Sequence, residues 1–193
     1  KTAINTSYIS FGILSIILTF IGIFFSGGML SLLKTPENIF SSGVTYLNIY
    51  SGGMFFVFMY NICTGIFTAL GDSKTPLYLL IASSVGNIFL DLLFVAVWHT
   101  GVAGAAWATF IAQAIAAAAA FALLTKRMRA IKSDKPQKFS ASMLKVISFM
   151  SIPSILQQSF VSVGNLFIQV LVNGFGSSVI AGYSAAIKLN TFA

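Results

Sequence analysis

The feature that most constrains this chain is a succession of apolar stretches, each long enough to cross a lipid bilayer. A hydrocarbon core about 30 Å thick needs roughly 20 predominantly apolar residues per helix. Five stretches meet that need, over residues 7–33, 44–70, 76–98, 102–124 and 143–175, and a sixth begins near Val179. In lipid every backbone polar group must be satisfied inside its own segment, so each stretch must be a helix. The chain holds 57% hydrophobic and 8% charged residues. Soluble domains carry about 25% charged residues, so a water-facing surface cannot be built from this composition. The expected fold is all-α, a polytopic transmembrane helical bundle.

Local signals punctuate the stretches. Lys34-Thr35-Pro36-Glu37 closes the first, and Gly71-Asp72-Ser73-Lys74-Thr75-Pro76 separates the second from the third. Thr75 is placed to cap the third helix, with Pro76 at its first position, where the missing N–H costs nothing. His99-Thr100-Gly101 turns the chain into the fourth. The fifth exceeds a perpendicular span, so tilt or a kink is expected, and Pro153 inside it supplies the kink. Small residues recur at Gly27-Gly28, at Gly52-Gly53, over 101–106 and over 116–120. In lipid such residues let helix backbones approach closely.

The net charge of +7 invites a nucleic-acid reading, but its placement argues against one. Nine of the eleven basic residues fall at Lys1, at Lys74 or between Lys126 and Lys145, in or beside the gaps between stretches. That is a positive-inside pattern rather than a binding stripe. Lys126, Arg127, Arg129, Lys132, Lys135 and Lys138 mark a cytoplasmic connection over 126–142, and counting back puts Lys1 and Asp72/Lys74 on the same side. The Lys34/Glu37 and His99 turns then lie outside. The expected organisation is a first transmembrane unit over 1–125, a linker over 126–142 and the start of a second unit over 143–193. Residue 1 is Lys rather than Met and the last residues stop inside an apolar run, so the chain reads as a section of something longer. Cys63 has no partner for an intrachain disulfide.

Chemistry is concentrated on few residues. Asp91 is the lone acid within a span, where a carboxylate costs about 2.5–3.5 kcal/mol on insertion scales and is a functional hypothesis by default. Asn87 and Ser84 precede it by four and seven residues, on one helical face. Carboxylate, amide oxygen and hydroxyl together suit a proton or a hard cation such as sodium. The alternative is a neutral Asp91 that only hydrogen-bonds a neighbouring helix, a task Ser or Asn performs more cheaply. Gln158, Ser162, Asn165, Gln169 and Asn173 form a second polar stripe, echoed more weakly by Asn61, Thr64 and Thr68. Uncharged amides on one face suit a water-filled cavity, and equally suit hydrogen bonds between helices. Lys188 lies in the middle of the sixth stretch, and the lone His99 is read as interfacial. No metal-ligand cluster, phosphate-binding loop or nucleophile–base set is evident, so the chain is not expected to be an enzyme and no cofactor is expected.

Gly71-Asp72-Ser73-Lys74-Thr75-Pro76, then Asn87-x-x-x-Asp91, then Gly101-Val102-x-Gly104-Ala105-Ala106-x-Ala108-Thr109 resembles the central part of multidrug and toxin extrusion (MATE) transporters, bacterial members in particular. Ile152-Pro153, Asn165, Asn173-Gly174-Phe175-Gly176 and Ile180-Ala181-Gly182-Tyr183 resemble the start of that family's second half. The resemblance covers essentially the whole chain and implies roughly helices three to eight of twelve, the end of the N-lobe plus the start of the C-lobe. It implies a cation site for H+ or Na+ at Asp91, Asn87 and Thr109, completed by an Asp of the family's first helix. It also implies a substrate cavity, for which Gln158, Asn165, Gln169 and Asn61 are the candidates. The activity implied is multidrug efflux by antiport of cationic or amphipathic drug-like compounds, by a protein monomeric when full length in the plasma membrane. The glutamines and lack of a carboxylate in 143–175 depart from the family and argue against a second-lobe ion site there. A lipid-linked sugar flippase would need several basic residues in its cavity, where only Lys188 lies well inside a span. A channel subunit would ordinarily present a symmetric ring of ligands, which is not evident.

Overall fold

The computed structural model describes residues 1–130 and 137–192. These form helices α1 (Thr2–Leu32), α2 (Glu37–Gly52), α3 (Met54–Ala69), α4 (Lys74–Asp91), α5 (Gly101–Ala130), α6 (Ala141–Asn173) and α7 (Ser177–Phe192). A π-helical segment, Leu92–Val97, continues α4. No strand occurs among the described residues. Four helices are long and apolar enough to cross a membrane, and α2 with α3 forms a fifth such span broken by a 46° bend. The fold is therefore the all-α transmembrane bundle its hydropathy requires.

The expected single span over 44–70 is thus two helices, and it starts earlier, at Glu37. The bend falls at Gly53, whose N–H is shared between the carbonyls of Ile49 (3.2 Å) and Tyr50 (3.0 Å). A side chain here would press within 3.2 Å of the Phe110 ring of α5. Phe110 in turn packs edge-on against Phe56 and Trp107, at 5.5 and 5.2 Å. The glycine lets the bent span wrap a large ring instead of colliding with it.

α5 is the hub, touching α2, α3 and α4. Its buried residues are mostly alanines: Ala106, Ala108, Ala112, Ala116, Ala117 and Ala120, ending at Leu124. Small side chains replace large ones where dispersion between close backbones, rather than expulsion of water, holds helices together. α1 meets α2 in the same way, with Gly22 set directly against the buried Ser51. Large apolar residues lie outside instead: Phe24, Leu32, Phe149 and Phe160 are each at least 77% exposed. In water such a surface would aggregate; against acyl chains it is the solvent-facing side.

Two boundaries differ from expectation. α5 runs on past Leu124 to Ala130, because the long stems of Lys126, Arg127 and Arg129 can lie along the helix while their charges reach water. The linker expected over 126–142 thus begins as helix; its residues 131–136, with Lys132 and Lys135, lie outside the described residues. Beyond them the chain is pinned to α1: Asn5 Nδ2 donates to the Gln137 carbonyl (3.1 Å), while the Gln137 and Ser140 amides donate to the Thr2 and Thr6 hydroxyls (3.1 Å each). At its far end α6 is tied to α1 again, Asn173 Nδ2 donating to the Leu33 carbonyl at 2.6 Å. Between the ties, residues 152–168 of α6 are exposed throughout. Pro153 sits within this helix and removes the N–H that would bond the Phe149 carbonyl.

Candidate functional site

Asp91 is the last residue of α4, at the point where α-helix gives way to π-helix. It and Asn87 are partly buried, whereas Ser84, one turn further back, is exposed. The Asn87 Nδ2 is buried without a hydrogen-bond partner, which makes it an atom whose polar demand the protein leaves unmet. From α2, Tyr46 lies within electrostatic reach of Asp91 and stacks on Tyr50 at 6.1 Å. Thr109 stands on α5, which packs against α4, and its hydroxyl donates to the Ala105 carbonyl at 3.0 Å. That bond occupies its proton and leaves oxygen lone pairs free to accept or coordinate. No hydrogen bond joins Asn87, Asp91 and Thr109 to one another; they share a helix pair, not a closed network.

The π-helical segment was not foreseen, since nothing in Leu92–Val97 breaks the apolar pattern. Its wider turn is closed by Thr100, whose amide and hydroxyl both donate to the Phe94 carbonyl, at 3.0 and 2.6 Å. The Trp98 amide reaches the Leu93 carbonyl at 3.0 Å, the five-residue step of a π-helix. Single π turns inside α-helices are frequently found at functional sites. Here one begins immediately after the carboxylate. His99 follows in the left-handed region, with φ 52°, and is exposed at the helix end.

The candidate cavity amides are distributed rather than gathered. Gln169 lines a cavity of about 500 Å³ together with Tyr46, Thr35 and Asn173. There Gln169 Nε2 donates to Asn173 Oδ1 at 2.7 Å. Asn61 lines a different cavity of about 490 Å³, between α1 and α3, and its Nδ2 donates back to the Val57 carbonyl at 2.7 Å. Gln158 and Asn165 stand exposed on the free length of α6. Sequence spacing missed Tyr46, which borders the Gln169 cavity and stands within electrostatic reach of Asp91. Lys188 is exposed on α7. Among the described residues no group of three His, Cys, Asp or Glu side chains is assembled for a metal.

The glycine–aspartate turn before α4 has a local explanation, and it corrects the cap. Gly71, at φ 79°, ends α3: its amide bonds the Thr68 carbonyl and the Asp72 amide bonds the Phe67 carbonyl, at 3.0 and 2.9 Å. Asp72 then caps α4, Oδ1 accepting from the Thr75 amide (3.0 Å) and Oδ2 from the Thr75 hydroxyl (2.8 Å). Thr75 is therefore the donor, not the cap, and Pro76 is the third helical residue. A carboxylate wins because it accepts at two oxygens at once. The two Thr75 bonds, with Arg127 nearby, hold the Asp72 carboxyl below the usual carboxylate range.

Long lipid-facing helices, packed through small residues around a few half-buried polar groups, define a polytopic α-helical membrane protein. The MatE family model matches residues 1–93, a span that includes Asn87 and Asp91 and stops before Thr109. The chain is 36% identical to the probable multidrug resistance protein YpnP of Bacillus subtilis over 88% of its own length and 38% of that protein. It is 28% identical to the probable multidrug resistance protein YoeA of the same organism, over 100% of this chain and 43% of that one. The fold also matches an inward-facing multidrug resistance MATE family transporter of the MOP superfamily, with a TM-score of 0.82 at 22% identity, over 98% of this chain and 44% of that one. The chain spans about four-tenths of the length of these relatives. The first half of the chain thus matches the MatE family model, and nearly the whole chain shares the fold of a MATE family transporter.

Proposed function

We propose that this chain forms the ion-coupling half-bundle and the lobe junction of a secondary active transporter, which expels cationic or amphipathic compounds in exchange for H+ or Na+. The observation that carries this reading is that Asp91 and Asn87 stand one turn apart on one partly buried face of α4. With the Asn87 carbonyl and the Thr109 hydroxyl, Asp91 offers hard oxygen donors, the chemistry a sodium ion requires, and a carboxylate able to carry a proton instead. Tyr46 connects that carboxylate to the cavity bordered by Gln169. Neutralising Asp91 by proton or sodium changes the field at Tyr46, and so ties ion occupancy to the cavity wall. Gln158 and Asn165, on the open length of α6, and Asn61, in its own cavity, supply uncharged contacts suited to varied substrates.

In this reading residues 1–125 close the first lobe, 126–142 link the lobes on the cytoplasmic side, and 143–193 open the second. The protein acts as a monomer in the plasma membrane, without enzymatic chemistry or a bound cofactor. The test is efflux of a fluorescent cation from proteoliposomes holding the intact protein, under imposed proton or sodium gradients. Asp91→Asn is expected to reduce gradient-driven efflux to the leak of empty vesicles while insertion and folding are retained. Undiminished efflux would reduce Asp91 to a packing residue.

A further inference from the structure

Where α1 begins and α5 finishes, a cavity of about 340 Å³ opens at the basic end of the bundle. Its rim carries Lys1 and Arg129, and its floor is apolar: Tyr8, Phe121, Leu124 and Met128. The floor is ordered, with Tyr8 packed edge-on against Phe121 at 5.7 Å and Leu124 wholly buried. At 1.5 Å of rise per residue, Tyr8 and Phe121 lie roughly 10–12 Å deeper along their helices than Lys1 and Arg129. The lining therefore changes from cationic to hydrocarbon in the direction in which a lipid changes from headgroup to acyl chain.

Arg127 acts on Asp72, across the helix end. Asn5, also in the lining, has its amide engaged by the Gln137 carbonyl. Lys1 and Arg129 have no ion-pair partner among the described residues. We propose that this cavity is a binding site for an anionic phospholipid, its phosphate held between Lys1 and Arg129 and an acyl chain laid on Tyr8, Phe121 and Met128. Basic pockets between transmembrane helices suit such headgroups. A free phosphate would leave the apolar floor uncovered, and a cationic compound is repelled at the rim. Through Asn5, which lines it, the cavity adjoins the segment from Gln137 onward that binds α1 to the start of α6. The lipid thus bears on the junction between the two parts of the bundle.

The experiment adds phosphatidylglycerol, phosphatidylcholine or inorganic phosphate to the intact protein in a neutral detergent, and reads thermal unfolding together with retained lipid by native mass spectrometry. Phosphatidylglycerol is expected to bind and to raise the unfolding midpoint, with little effect from the other two. Each rim charge removed, by Lys1→Gln or Arg129→Gln, should weaken apparent affinity about fivefold, the equivalent of about 1 kcal/mol per basic residue. Arg129→Glu should weaken it further, and Lys126→Gln, an exposed neighbour outside the lining, should leave it unchanged. Equal protection by phosphatidylcholine would overturn the proposal. So would protection by phosphate alone, full affinity in the double Gln variant, or no binding to the wild type, the result a covering segment of the protein would give.

Discussion

Asp72 and Asp91 are both carboxylates at the ends of α4, and their surroundings give them opposite work. Asp72 is partly exposed and is held charged by the amide and hydroxyl of Thr75, with Arg127 nearby. Its folded-state pKa lies below its unfolded value, so the stability it contributes is present above the ordinary carboxylate range. That contribution is lost as pH falls through the folded value. Asp72→Asn should therefore unfold more easily than wild type at neutral pH, and the difference should shrink as the sample is acidified below about pH 4. Parallel thermal unfolding of the two proteins between pH 7 and pH 3 measures this; a gap that widens on acidification would contradict the assignment. Asp91 has no such pair of donors. It was legible in sequence because an acid inside an apolar stretch is expensive, and Asn87 because a spacing of four shares its face. Tyr46 was not legible, because it comes from a different helix and its relation to Asp91 exists only after α2 has folded back.

At the scale of the element, small residues divide into those that are filled against and those that are not. A methyl group on Gly22 would strike the Ser51 side chain, whose Cβ would lie 2.7 Å away, whereas one on Gly28 meets nothing within 4 Å. Gly22→Ala should cost about 1–3 kcal/mol, the usual cost of overpacking, while Gly28→Ala should be neutral or stabilising by up to about 1 kcal/mol, the helix-propensity gain. Denaturant titration in detergent separates the two, and equal costs would contradict the α1–α2 packing. Their sequence context gave no hint of the difference, since neighbouring glycines look alike until the partner helix is in place. The same limit explains the other surprises. Apolar length located the spans but could not tell one straight helix from the bent α2–α3 pair, because Gly53 bends only against Phe110. Nor could hydropathy reveal the π turn, which depends on Thr100 reaching back to Phe94. Threonine is a good cap, but at Thr75 the better acceptor lies three residues earlier, at Asp72.

At the scale of the whole molecule, α1 and α6 lie side by side, tied at the Thr2–Gln137 end and the Leu33–Asn173 end and open between. In the proposed two-lobe arrangement, these ties would join the lobes at both ends of α1. The orientation proposed from charge can be measured apart from transport. With Cys63 replaced, a cysteine at exposed Lys126 should be labelled by an impermeant reagent only in inside-out vesicles, and one at exposed Glu37 only in right-side-out vesicles. The reverse labelling would invert the bundle.

At the centre of the proposed mechanism is the binding of the coupling ion by the α4 carboxylate. It is tested most directly by equilibrium ion binding to the purified intact protein, following radiolabelled sodium uptake and proton release in the same sample, with wild type and Asp91→Asn. The expected result is saturable binding of one of the two ions by wild type, and its loss in the variant with thermal unfolding little changed. Saturable binding that persists in Asp91→Asn would contradict the claim and move the coupling ion to another part of the protein.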